Sequence, residues 1–182
     1  MSSLNDQLNS AVLSDDADQV RALLLNPKCD ARFKDAEGWT ALMHAAEGHL
    51  SCLELLLPVS DLLVSDDYGW DALMHAAAEG HLSCVELLLP VSDPLAKDKH
   101  NRNALMWAAC GGHASCVNLL LPVSDALAKD RYGKSVSELA VNSGHDALAR
   151  LIDAFTLAQS EKQALSSWVG AGTAPKKASP RL

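Results

Sequence analysis

The sequence predicts an all-α repeat solenoid, because its composition favours helices and one segment recurs along the chain. Apolar residues make up 48% of the chain but aromatic residues only 4%, so Leu, Ala and Val must form most of the core. The segment 71–93, DALMHAAAEGHLSCVELLLPVSD, has close copies that begin at Thr40 and Asn103. The step from Asp71 to Asn103 is 32 residues, and a period of this size is typical of stacked arrays of small units.

A four-residue turn opens each unit, and a helix follows the turn. The turns share an aspartate at their first position: Asp35, Asp66, Asp98 and Asp130. Their fourth position holds Gly or Asn, which tolerate a positive φ. The residue two places later can cap a helix in every unit, since its side-chain oxygen can accept a backbone N–H. These capping residues are Thr40, Asp71, Asn103 and Ser135.

Two helices are predicted in each unit. In the first, Leu42, Ala45 and Ala46 share one face, and the small alanines let a neighbouring helix approach closely. A glycine such as Gly80 ends this helix. The second helix, LSCVELLL in the middle copy, ends at Pro90, which lacks a backbone donor and disfavours helix in the residue before it. An extended return then leads to the next turn.

One unit buries too few apolar side chains to offset the entropy of ordering its backbone, whereas stacking gives each unit a second buried face. A stack also needs polar outer faces at its two ends. We therefore expect terminal caps around a central array. The predicted segments are an N-terminal capping repeat at 1–34, four repeats at 35–65, 66–97, 98–129 and 130–153, a C-terminal helical extension at 154–168 and a disordered basic tail at 169–182.

The pattern turn-Gly-x-Thr-Ala-Leu-x-x-Ala-Ala, followed by Gly-His, a Leu-Leu-Leu helix and a hairpin return, resembles ankyrin repeats. The resemblance covers residues 5–155 and departs from the family pattern at Ala41 and Met43, where Pro and often His stand, and in a hairpin return one residue shorter. It implies an ankyrin-like stack of helix-loop-helix units with short hairpin turns and helical caps at both ends. It also implies that a partner protein binds to the hairpin tips and the concave helix face, without catalysis.

The residues that vary between copies are the candidates for partner binding, since packing fixes the others. Three of the four tryptophans are predicted to project onto one face, and large aromatics and Arg often dominate binding energy. The predicted partner-binding residues are Trp39, His44, Tyr68, Trp70, His75, His100, Arg102, Trp107, Tyr132 and Lys134. Alternatively, Trp39 and Trp70 pack on each other and only stiffen adjacent hairpins.

The same face changes sign along the array. Its early part carries Glu37, Asp66 and Asp67, and its late part is basic between Lys97 and Lys134. We expect a partner with an apolar centre, a basic patch toward the acidic end of the array and acidic groups toward the basic end.

A histidine and a cysteine recur three residues apart in three units, as His49 with Cys52, His81 with Cys84 and His113 with Cys116. Both side chains are zinc ligands, so a metal-linked redox or hydrolytic activity is an alternative of another class. A zinc site, however, needs about four converging ligands, and successive pairs should lie roughly 10 Å apart. The sequence contains no phosphate-binding loop or nucleophile elbow either. We expect no catalytic residues, no bound metal and no cofactor.

Charge and cysteine content narrow the class of partner and the compartment. The formal charge is −8, so the surface should repel nucleic acids. Five cysteines, three at one repeat position, suit reduced thiols in the cytoplasm, and no apolar run is long enough for a membrane span. We expect a monomer that binds another protein. A secreted effector of a pathogen or symbiont that targets a host protein, with the Lys-rich tail as a candidate export signal, is a second interpretation.

Overall fold

A computed structural model of the chain describes residues 3–171, and among residues 163–171 it describes only the side chains of Ala164 and Ser166. This part of the chain contains ten α-helices and no β-strand. The helices are α1 (Leu4–Leu13), α2 (Ala17–Leu24), α3 (Ala41–Ala46), α4 (Leu50–Leu56), α5 (Ala72–Glu79), α6 (Leu82–Leu88), α7 (Ala104–Gly111), α8 (Ala114–Leu120), α9 (Val136–Asn142) and α10 (Asp146–Ala171). A short 3₁₀ helix, Leu57–Val59, extends α4.

The helices pair and stack in the order that the repeat predicts. The first helices of successive units, α1, α3, α5, α7 and α9, pack on one another in sequence, and the second helices α2, α4, α6 and α8 do the same. The last helix, α10, packs on α9. The predicted all-α solenoid of helix-loop-helix units is confirmed.

The predicted helix caps are also present. A capping side chain in each unit accepts the N–H of the residue three places on, at 3.4 Å for Thr40, 2.8 Å for Asp71, 3.0 Å for Asn103 and 3.2 Å for Ser135. These hydrogen bonds join residues three positions apart, so they fix the start of each first helix independently of the neighbouring units. The first helices therefore start in register, two residues after their turns.

Unit 1 is one residue shorter than unit 2, and the difference falls at the end of its first helix. Helix α3 has six residues, whereas α5 has eight. The loop bond that follows is nevertheless kept, since His49 N–H donates to Ala45 and His81 N–H donates to Ala76, both at 3.0 Å. As a result Glu47 and Glu79, which directly precede Gly48 and Gly80, occupy corresponding places at the ends of α3 and α5.

The core runs through the whole stack and ends inside α10. Leu42, Leu73 and Leu105 are buried at one position of the first helices. Helix α10 buries Leu148, Ala149 and Ile152, but its side chains from residue 157 to 162 are exposed. The helix continues to Ala171, and residues 172–182 of the predicted basic tail lie outside the described residues. Within residues 3–171, no helix has the length and apolar character that crossing a membrane requires.

Candidate functional site: an aromatic groove

The aspartate that opens each turn holds the turn and the first helix together. In unit 2, Asp66 Oδ1 accepts the backbone N–H groups of Tyr68 and Trp70, both at 2.8 Å. Its other oxygen, Oδ2, accepts a hydrogen bond from His75 Nε2 at 3.2 Å. Because the Asp66 carboxylate binds both the turn and helix α5, the Trp70 ring that follows the turn lies beside the His75 ring on the helix.

Units 1 and 3 repeat this arrangement with different donors. Asp35 accepts a hydrogen bond from His44 Nε2 at 2.8 Å, and Asp98 accepts one from the indole N–H of Trp107 at 3.1 Å. The position of His44 in unit 1 is thus filled by Trp107 in unit 3. An aromatic donor at this position satisfies the aspartate in three successive units.

Unit 4 has Leu139 at the equivalent position and therefore no donor of its own. Arg102 of unit 3 supplies the missing bonds, since its Nη2 and Nε atoms lie 3.0 and 3.2 Å from Asp130 Oδ2. Burial alone would raise the pKa of Asp130, but hydrogen bonds from Lys134 N–H, the Arg102 guanidinium and Tyr132 N–H together lower it below its usual value. A cation from one unit thus completes the turn of the next.

These contacts bring the aromatic rings into one continuous series, in which neighbouring ring planes are tilted by 35 to 53°. Trp39 lies between His44 and His75, with ring centroids 5.0 and 4.0 Å away. Trp70 lies between His75 and Trp107, at 5.1 and 4.1 Å. The Arg102 guanidinium, 4.9 Å from the Trp107 ring centre, ends the series. The three tryptophans therefore share one face, but among the described residues Trp39 and Trp70 do not stack on each other, because His75 separates them.

The series of rings forms one wall of a groove on the face made by the turns and the first helices. Adjacent turns form the tips of this face and are joined directly, since Lys99 N–H donates to Tyr68 O at 3.1 Å and Arg131 N–H donates to His100 O at 2.8 Å. The groove encloses a cavity of about 420 Å³. Its lining residues are Trp39, Glu47, Asp66, Tyr68, Trp70, His75, Glu79, His100 and Trp107.

A family model for ankyrin repeats (three copies) matches residues 8–98 and 90–159. The chain belongs to the ankyrin-repeat family. Ankyrin repeats are generally protein–protein interaction modules, and the family typically lacks catalytic activity. No curated protein matches the chain significantly.

The ankyrin array brings together six of the ten predicted binding residues. Those that line the groove are Trp39, Tyr68, Trp70, His75, His100 and Trp107. His75 is only 3% exposed, so its ring supports the two flanking indoles and presents almost no surface of its own. His44 contacts the outer side of Trp39, and Arg102 is paired with Asp130. Tyr132 and Lys134 are exposed on the fourth turn, outside the groove.

Sequence reasoning missed two groove residues, Glu47 and Glu79. The signal was available, because both precede the glycine that ends a first helix, whereas Gly111 and Ser143 occupy this position in units 3 and 4. Burial raises the pKa of Glu47, the nearby His44 opposes the shift, and the negative charge of Glu79 adds to it. The two carboxylates therefore give the groove an acidic rim.

The repeated His and Cys side chains of the ankyrin array do not converge. Cys52, Cys84 and Cys116 are buried in the core, and burial together with Asp15 raises the pKa of Cys52 to about 11. The histidines instead pack on the preceding unit: the His113 Nε2 atom lies 2.8 Å from Ala78 O. No group of three or more His, Cys, Asp or Glu residues suited to a metal ion occurs in the described part of the chain.

Proposed function

We propose that this ankyrin array binds a partner protein in the aromatic groove and at the neighbouring turn tips. The observation that carries the proposal is the set of three partly buried indoles, Trp39, Trp70 and Trp107, along one concave cavity. Tryptophan is the residue type most enriched in binding hot spots, and partly exposed aromatic surface in a concavity is typical of a binding site.

The fold itself does not require tryptophan at these positions. The residue after the turn is Trp39 in unit 1 and Trp70 in unit 2, but Arg102 in unit 3 and Lys134 in unit 4. All four donate the same backbone N–H to the turn aspartate, at 2.8 to 3.0 Å. Because the turn forms equally well with a cationic side chain, the choice of an indole in units 1 and 2 supports a role in recognition.

The turn tips extend the proposed surface beyond the groove. Tyr68 and Tyr132 are 65% and 66% exposed, and Lys134 is exposed beside Tyr132. His44 and His75 act in this proposal by positioning the indoles. The proposed partner carries an apolar centre, basic groups toward the acidic first units and acidic groups toward the basic tips of units 3 and 4.

We further propose that the protein is a monomer in the cytoplasm and has no catalytic activity. Free thiols support this compartment: Cys29, Cys52, Cys84, Cys110 and Cys116 are all unpaired. Secreted proteins usually oxidise such residues, whereas the cytosol keeps them reduced.

Affinity capture from the native lysate, followed by titration of the purified partner, tests the groove. The Trp70→Ala/Trp107→Ala variant should lose about 2 kcal/mol or more per hot-spot residue, which is roughly 30-fold each. The matched control is Leu63→Ala/Leu95→Ala, which truncates two exposed residues on the return segments outside the groove. Circular dichroism should show intact helices in both variants. Unchanged affinity of the tryptophan variant would refute the proposal, as would equal losses in both.

A further inference from the structure

The groove has an acidic rim only where its aromatic wall lies. Glu47 and Glu79 line the cavity at the ends of α3 and α5. The equivalent residues of the next two units, Gly111 and Ser143, carry no charge. The acidic pair therefore lies in units 1 and 2 together with Trp39 and Trp70, whereas Trp107 comes from unit 3.

Neither of these carboxylates forms an ion pair with a lysine or arginine of the described residues. Asp66, the third acidic residue that lines the cavity, is by contrast bonded to His75. No hydrogen bond or ion pair joins Glu47 or Glu79 to another side chain in residues 3–171. Glu47 is half-buried and Glu79 is exposed, and the negative charge of Glu79 acts on Glu47, so a cation placed beside both would relieve the repulsion.

Cations contact aromatic rings elsewhere in the same array. Arg102 lies over Trp107, and the Arg131 guanidinium lies 5.6 Å from the Tyr132 ring centre. In units 1 and 2 the place of Arg102 is taken by an indole, and no Lys or Arg is among the described residues that line the cavity. This part of the groove thus combines aromatic walls and carboxylates with no internal cation.

We infer that the groove takes one lysine or arginine side chain from an exposed basic segment of the partner protein. Its aliphatic stem packs on Trp39, Trp70 and Trp107, and its cationic head pairs with Glu47 and Glu79. A cavity of about 420 Å³ is within the size range of small-ligand sites, so it can hold one long side chain. The inference rests on the proposed function and specifies the chemistry of the partner.

Other side chains fit this site less well. An apolar side chain would cover the indoles but would also remove water from the rim carboxylates without replacing its hydrogen bonds. An acidic side chain would add a third negative charge. A long side chain with an apolar stem and a cationic head satisfies both parts of the groove at once, and cation–π attraction by the indoles adds to its binding.

Two capped peptides that differ in one functional group test the inference on the intact chain. The probes are acetyl-Ala-Ala-Lys-Ala-Ala-amide and its norleucine analogue, which keeps the stem and lacks the ammonium group. Binding is followed by NMR of the indole N–H signals of Trp39, Trp70 and Trp107. The lysine peptide should shift the signals of the groove tryptophans and bind at least about fivefold more tightly than the analogue.

The Glu47→Gln/Glu79→Gln variant should reduce binding of the lysine peptide to the level of the analogue. The matched control, Glu54→Gln/Glu86→Gln, removes the same charge from exposed positions of α4 and α6 and should leave the difference unchanged. Equal binding of the two peptides, no shift with either peptide, or equal losses in the two variants would overturn the inference. If the captured partner needs the tryptophans but tolerates the Glu47→Gln/Glu79→Gln variant, the proposed function stands and the cation inference fails.

Discussion

Replacing Arg102 with Met should destabilise the fourth unit, because it removes the side-chain donors to a buried carboxylate. Asp130 is 4% exposed, and its Oδ2 atom accepts hydrogen bonds only from Arg102 among the described side chains. Helix α9 offers no replacement, since Leu139 stands where His75 donates to Asp66 in unit 2. Methionine keeps the apolar stem, so the substitution removes mainly the charge and the hydrogen bonds.

The size of the effect depends on how completely the pair is buried. Breaking a fully buried ion pair costs about 3–5 kcal/mol, whereas leaving one buried acceptor unpaired costs about 1–3 kcal/mol. The Arg102 side chain is 19% exposed, so water can reach part of the site and the smaller cost applies. We expect a loss of about 2 kcal/mol, which lowers the melting temperature of a chain of this length by about 4–8 °C.

Urea denaturation followed by circular dichroism measures the loss, and a second substitution tests its cause. Leu139→His in the Arg102→Met background restores a donor on α9, as His75 provides in unit 2, and should recover at least about half of the loss. A loss under about 0.5 kcal/mol would refute the reasoning, since it is no larger than that of an ordinary surface substitution. Absence of any recovery would refute the role assigned to Leu139.

The same pair predicts a pH dependence. Folding lowers the pKa of Asp130, so its ionised form stabilises the folded state at neutral pH. This contribution is fully present above the usual carboxyl pKa of about 4 and is lost as the pH falls through the lower folded value. The free energies of unfolding of the parent chain and of Arg102→Met should therefore converge at acidic pH. A constant difference down to about pH 2 would contradict this account.

Two further predictions concern the contacts between units. Gly80→Ala should destabilise the array by about 2 kcal/mol more than Gly144→Ala does. Both glycines have a positive φ, but only at Gly80 would an added Cβ overlap the ring of His113. Equal losses of stability in urea denaturation would exclude this clash. Burial lowers the pKa of His75 despite the opposing charge of Asp66, so the free energy of unfolding should fall as the pH drops below about 6.5. His75→Gln should weaken this dependence of stability on pH. An unchanged dependence would show that His75 is not its source.

Local chemistry made most of the fold predictable. A capping residue such as Thr40 accepts a hydrogen bond from a backbone N–H three residues away, and a turn glycine such as Gly69 adopts a positive φ without strain. Interactions of this kind lie within a few residues along the chain, so their repetition in the sequence predicts repeated helices directly. Repetition also showed that the units must stack, because a single unit lacks a core. The three tryptophans could also be assigned to one face, since Trp39 and Trp70 follow corresponding turns and Trp107 occupies the first-helix position of His44 and His75.

The sequence by itself thus determined the repeat and the helix starts. Only the tertiary structure decided which side chains are covered and which remain open: His75 is buried between Trp39 and Trp70, while Glu47 and Glu79 form an unpaired rim. The physical reason is that Trp39 meets His75, and Glu47 comes near Glu79, across about one repeat of chain, so the offset between stacked helices fixes these distances. A pattern within one unit contains no information about that offset.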